Sequence, residues 1–274
     1  MTDTLLAEPS VNSQDIVKAL LEVTGTTEPP TNAEHLAAYL GLRVEDFDPD
    51  ELGLSHKIRA FLWPAKRLIG VHHELKPKRR KFSILHEVGH FVLPEHITRL
   101  EERGKITDDL NTLSTNAIIK LEIEANQFAA DCLFQLDRFD DWIHNAELNW
   151  DNIRAAANEY EASIEATARR WVEGSPYERA LVVFDPVSRE IPDTPLEILY
   201  TITSQSFRVA YFSGLRRGQR MDKGTLAYNL YHRVEPQETE GILRVRISPT
   251  EVEDFQMTLF NNTYRVLALL RVDS

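Results

Sequence analysis

Cysteine is almost absent. Cys132 stands alone in 274 residues, so no disulfide can form within the chain and a reducing compartment is expected. Long apolar runs are missing as well: no stretch reaches the roughly 18 residues that a membrane-crossing helix requires. The opening MTDTLLAEPSVNSQD lacks a basic segment leading into an apolar one, and the expectation is a cytoplasmic protein that contacts no membrane. Positive charge is in deficit, with 31 Lys and Arg against 43 Asp and Glu and a formal charge of -12. An acidic surface repels a phosphate backbone, so direct nucleic-acid binding is disfavoured. The basic runs PKRRK (77–81) and LRRGQR (215–220) are the exceptions, and short runs of this kind usually form solvated faces. The 42% hydrophobic and 27% charged residues that remain are those of an ordinary globular protein, large enough for two modest domains.

Periodicity places the elements. Val11, Ile16, Val17, Leu20 and Leu21 make a short amphipathic helix before the GTTEPPT break. Thr31 or Asn32 can cap a helix that Gly41 ends, and VEDFDPDELG reads as a polar connection. The runs 58–63 and 67–73, on either side of Pro64-Ala65-Lys66, predict a hairpin. A helix follows from Pro77 or Lys78 to Leu93, apolar on nearly every side and stopped by Pro94, which is the pattern of a buried central helix. A second runs from about Asn116 to Gln135 with Ile118, Leu121, Ala125, Phe128 and Cys132 on one stripe. Residues 149–171 read as helix, turn, helix, with Ser163 as a cap of the second member. Beyond Gly174-Ser175-Pro176 the runs ALVVF, FRVAYF, LAYNLYHRV, ILRVRI and YRVLALLRV predict strands, and 249–260 is the expected helix among them.

The central helix contains His86-Glu87-Val88-Gly89-His90, an H-E-x-x-H pattern. Residues four apart share a helix face, so both imidazoles can reach one ion, and zinc suits the pair. Glu87, about 100° round the helix, is placed as a general base toward water. Two imidazoles and a carboxylate in an otherwise apolar helix would each cost several kcal/mol of desolvation if left unpaired, which argues against their being ordinary helix positions. A catalytic zinc needs a third protein ligand and an open position. Glu122 on the next helix is the best candidate, with Asn126 one turn on to orient a ligating side chain. Glu124 is the rival, but lies about 200° from Glu122 and should point away.

His72 and His73 end the strand before the helix and read as structural or solvated residues. His144, Tyr160 and Arg80 carry suitable chemistry for clamping a substrate, without any assignment following from it. Cys132 sits in an apolar stripe, where thiols are inert. The acidic balance of residues 149–173 speaks against a DNA-recognition helix there and for packing around the cleft of the metal site.

RLIGVHHELKPKRRKFSILHEVGHFVL (67–93) and EIEANQFAADCLF (122–134) together resemble the ImmA/IrrE family of bacterial metallopeptidases, over roughly Thr31 to Trp171. The resemblance implies a zinc peptidase that processes helix-turn-helix repressors, with the glutamate before the Ala-Asn pair, here Glu122, as third zinc ligand. Leu133-Phe134-Gln135-Leu136 departs from the Leu-Met-Pro usual after that helix, and the last hundred or so residues carry no such likeness.

The fold expected is α+β. A mainly helical, zincin-like peptidase domain with a small sheet and the helix-turn-helix-like segment spans 31–174, after an N-terminal extension of 1–30. A smaller mixed α/β domain, sensory or substrate-selecting, spans 175–274. Zinc-dependent cleavage of a protein substrate by Glu87 is the function expected, and no oligomeric state follows. The rival is a metal-binding sensor or interaction module of the same fold without hydrolytic activity; a transcriptional regulator is a third reading.

Overall fold

A computed structural model describes residues 12–99, 115–191, 193–211, 215–221, 223–233, 235–246 and 252–271. Contacts divide these into two units, one running to Phe139 with Glu159–Ala162 added, the other made of Asp140–Asn158 and the chain from Ser163 onward. The division differs from the boundary expected at Gly174, because the helix Ile164–Gly174 packs on the C-terminal sheet and the helix Asp140–Asn145 packs on that helix.

In the first unit, helix α1 (Ser13–Val23) starts at Asn12, whose side chain accepts a hydrogen bond from the Gln14 amide at 3.2 Å. It buries Val17, Leu20 and Leu21 and packs on a later helix, so it belongs to this unit and is no separate extension. Asn32 caps α2 (Ala33–Tyr39), and Gly41 follows with a φ of +71°, the left-handed conformation a side chain would oppose. Just before that cap, the buried Thr31 hydroxyl donates to the Cys132 carbonyl at 2.7 Å, tying this stretch to the long helix.

The stretch expected as a polar connection is instead strand β1 (Arg43–Phe47) and a short helix α3 (Pro49–Leu52). β1 is acidic and mostly exposed because it is an edge strand, which hides it from any reading by apolar alternation. Strands β2 (Ala60–Trp63) and β3 (Leu68–His72) form the expected hairpin around a 3-10 turn at Pro64–Lys66. β3 is central, antiparallel to β2 and parallel to β1, with Val44 opposite Ile69. A side chain at Gly70 would begin 2.4 Å from the Phe61 ring, so that position must stay bare for the two strands to pack as they do.

Helix α4 (Pro77–Val92) leaves this sheet with Pro77 in its first turn, where a missing N–H costs nothing. It packs against the sheet, α2 and the helix α5 (Thr115–Phe134), which a 3-10 turn at Leu136–Phe139 follows. Ile84, Leu85 and Val88 are wholly buried.

The second unit opens with α6 (Asp140–Asn145), α7 (Trp150–Glu159) and α8 (Ile164–Gly174), the last capped by Ser163 through the Ala166 amide at 3.1 Å. Strands β4 (Arg179–Pro186), β5 (Leu196–Thr203), β6 (Arg220–Met221), β7 (Gln237–Arg246), β8 (Val252–Asn261) and β9 (Val266–Arg271) form one antiparallel sheet in the order β6-β5-β4-β9-β8-β7. Two short helices, α9 (Gln205–Ala210) and α10 (Leu226–Tyr231), pack against strands of this sheet.

Central strands β4 and β9 are apolar on both faces, and helices cover them. Phe184, Ile198, Phe207, Phe255, Leu259 and Ala268 lie in one cluster. α8 lies on β4 and β5, while Trp150 of α7 packs on Phe260 and donates its indole N–H to the Thr258 carbonyl at 3.2 Å. Helices α7 and α8 therefore pack on this sheet, while the turn between them, Glu159–Ala162, is counted with the first unit.

Three expectations for this region are overturned. Residues 252–260 of the expected helix of 249–260 belong to strand β8, and 249–251 lie outside the described residues: Phe255 and Leu259 fit a helical spacing, but Phe255, Met257 and Leu259 also alternate, and pairing to β7 and β9 on both sides selects the strand. FRVAYF and LAYNLYHRV, expected as strands, supply α9 and α10 instead. Ser204 and Thr225 cap them by accepting from the Phe207 and Tyr228 amides, so a local hydrogen bond decides against the apolar pattern.

Candidate metal centre

α4 and α5 cross closely at Gly89. A Cβ there would stand 3.0 Å from the Phe128 ring, so the bare backbone lets α5 approach the face that carries the histidines. Two ring nitrogens and a carboxylate meet at that crossing. Nε2 of His86 and Nε2 of His90 are 3.1 Å apart, Glu122 Oε2 is 3.3 Å from the first and Glu122 Oε1 is 3.6 Å from the second. His86, His90 and Glu122 form the group of metal-capable side chains found among the described residues, each offering one donor within 4.8 Å of the others.

These spacings suit a small ion. A tetrahedral site with metal–ligand bonds of about 2.0 Å has edges of about 3.3 Å, which the three separations bracket. The donor set of two imidazoles and a carboxylate is one that zinc accepts. Glu122 keeps about half its side chain exposed (48%), so the centre is open on one side. Asn126, one turn along α5, brings its carbonyl oxygen 3.1 Å from His86 Nδ1. An imidazole that donates from Nδ1 presents the lone pair of Nε2, the atom aimed at the cluster.

Glu87 is buried beside this group at 8% exposure. Burial pushes its carboxyl up to about 7; the His86 charge opposes the rise and the Glu122 charge adds to it. Burial also lowers the pKa of His90, with the His86 and His96 charges adding to the effect against Glu122. For His86 burial works the same way, but the Glu122 contact and the charges of Glu87 and Glu122 outweigh it and raise the pKa.

Glu124 points away from the cluster, to His96 Nε2 at 3.1 Å. His96 lies beyond Pro94, outside the H-E-x-x-H pattern, and nothing in that pattern singles it out. Its signal would have been a histidine just past an apolar helix, worth pairing with the next helix's carboxylates.

The remaining candidates have structural partners. His72 accepts from the Glu74 amide at 3.2 Å and packs on Phe47, and Nδ1 of His73 lies 3.1 Å from the Phe47 carbonyl. Arg80 pairs with Glu34 and Asp46, Tyr160 packs on Phe134 and Phe139, and His144 Nδ1 is 2.7 Å from the Asp140 carbonyl. The Cys132 thiol is fully buried and its pKa is raised by that burial.

A buried helix with paired imidazoles, met by a second helix carrying a carboxylate, is the arrangement of a metallopeptidase-type domain. Residues 37–172 match the model of the IrrE N-terminal-like domain, Peptidase_M78, and the chain belongs to that ImmA/IrrE family of peptidases through this region. The fold resembles the solved structure of a Mycobacterium tuberculosis transcriptional regulator, with a TM-score of 0.56 and 14% identity over 94% of this chain and 75% of that one. At that identity the likeness is one of fold. No curated protein matches the sequence. Among the described residues no helix is long and apolar enough to cross a membrane.

Proposed function

We propose that the protein is a zinc-dependent endopeptidase of the zincin type, acting in the cytoplasm on a helix-turn-helix repressor in a regulatory or stress response. The observation that carries the reading is the convergence of His86, His90 and Glu122 within 4.8 Å on an open side of the domain, with Glu87 buried next to them. The choice of substrate rests on the family resemblance of 67–93 and 122–134. The acidic charge of -12 favours a protein substrate over nucleic acid.

His86, His90 and Glu122 would hold the ion, with Asn126 fixing the orientation of the His86 ring. When bound, zinc supplies Lewis acidity, which acidifies water and polarises a carbonyl. Glu87 takes a proton from water as it attacks the scissile carbonyl, then returns it to the leaving amine, so one carboxylate serves as base and then acid. The buried, largely apolar surroundings keep that carboxylate short of competing water. A near-neutral proton affinity suits both directions of transfer.

The test joins metal analysis with cleavage of candidate repressors from the same genome. Wild-type protein should hold one zinc per chain, and Glu122→Ala should lose most of it. Glu87→Gln should keep zinc and fold while cleavage falls by about 10²–10⁴-fold, the usual worth of a general acid–base group. If Glu87→Gln cuts as fast as wild type, Glu87 is not the base. A zinc-loaded wild type that cuts no repressor would favour the non-hydrolytic sensor.

A further inference from the structure

The two imidazoles of the cluster are supported in different ways. His86 Nδ1 meets the amide oxygen of Asn126, a single neutral acceptor. His90 Nδ1 meets another imidazole: Nδ1 of His96 is 3.0 Å away, and Nε2 of His96 is in turn 3.1 Å from Glu124 Oε2. His96 is almost completely buried, at 1% exposure. The Glu124 side chain is 40% exposed, and its other oxygen lies 3.5 Å from Lys120 Nζ.

Hydrogen-bond roles along this chain follow from its outer end. A carboxylate only accepts, so His96 Nε2 must carry a proton and donate it to Glu124. A neutral His96 then has a lone pair at Nδ1, which can only accept, and the proton between the two rings therefore sits on His90 Nδ1. Nε2 of His90 is left with its lone pair directed at Glu122 and His86. One carboxylate thus sets the tautomer of two rings in sequence.

We propose that His96 and Glu124 are positioning residues for the metal centre, forming a carboxylate–imidazole relay that holds His90 in its ligating tautomer and orientation. The proposal rests on the reading of His86, His90 and Glu122 as zinc ligands and adds two residues to it. A buried histidine next to a carboxylate is often only a satisfied core residue. Here its second nitrogen is spent on a candidate ligand rather than on backbone, and a core role alone gives no reason for that. The relay also accounts for Glu124, which sits one turn from Lys120 on α5 yet turns one oxygen to a buried ring.

Three variants of the full chain test the relay, read by competition for zinc against a chelator and by the visible absorption of the cobalt(II)-substituted protein, with circular dichroism as the control for folding. His96→Leu removes both hydrogen bonds and should weaken zinc binding about 10–100-fold, the usual cost of losing an outer partner of a metal-ligating histidine, and alter the cobalt spectrum. His96→Gln keeps an acceptor and a donor on one side chain, and should recover most of the affinity and the wild-type spectrum. Glu124→Ala, at a half-exposed site that tolerates truncation, should weaken binding in the same direction by less.

Wild-type affinity and spectrum in folded His96→Leu would overturn the relay. If His96→Leu does not fold, Glu124→Ala decides, and wild-type zinc binding in that variant overturns the proposal. Failure of the ligand reading looks different: wild-type protein itself would take up no zinc or cobalt, and both readings would fall together.

Discussion

The two units differ in what they bury. In the first, the ionisable His72, Glu87, His90, His96 and Asp131 are all below a tenth exposed, alongside the neutral polar Thr31, Ser83 and Gln135, in a mainly apolar core. In the second, the buried polar residues among those described are Thr167, Ser175, Ser204 and Asn261, none of which titrates as a carboxyl or imidazole. Ser204 and Asn261 are accounted for by local structure: Ser204 caps α9, and the Asn261 amide donates to the Leu230 and Arg233 carbonyls. Buried ionisable groups are costly unless they are paired, so their concentration in one unit marks where chemistry is held. The sheet unit spends its interior on packing.

Three experiments would break or sharpen this contrast. The largest effect is expected from cutting the chain after Gly174, the boundary the sequence suggests. Such a fragment keeps α6, α7 and α8 but loses the sheet on which Trp150 and α8 are packed. It should retain zinc through the first unit yet expose apolar faces, bind a hydrophobic dye and self-associate in gel filtration. A monomeric fragment that binds no dye would show that the division near Phe139 is not a division in stability.

Next comes Phe184→Ala, in the centre of β4. Truncating a fully buried phenylalanine costs about 3–5 kcal/mol, so denaturant unfolding should show a loss of that order while zinc content at low denaturant stays at wild-type level. Zinc lost in proportion to stability would mean that the units do not separate these roles. The smallest effect is expected for Gly89→Val. Overpacking against Phe128 should cost about 1–3 kcal/mol, but because it forces α5 from α4 it should also weaken zinc binding, which Phe184→Ala does not. Equal zinc affinities in the two variants would remove the contrast.

Much was legible wherever hydrogen bonds are local. Asn32 and Ser163 cap helices that begin where their side chains predict, Pro77 starts α4, and the hairpin of β2 and β3 forms around Pro64–Lys66. The spacing of His86 and His90 places both rings on one helix face, because 3.6 residues per turn is a property of the backbone and needs no partner. β1 escaped notice since its acidic, exposed sequence takes its strand character from β3, and β8 since its apolar residues satisfy two periods at once.

By itself, then, the sequence determined α1, α2, α4, α5, α7 and α8, the caps at Asn32 and Ser163, the histidine spacing and the family resemblance. Only the tertiary structure decided how far Glu122 stands from the two imidazoles, that Glu124 turns to His96, and that α6 to α8 join the sheet. Those outcomes depend on contacts between residues far apart in the chain, and their geometry is set by packing, such as the closeness of α4 and α5 that Gly89 permits. Local backbone geometry can be read one turn at a time, whereas the meeting of two helices depends on every side chain between them.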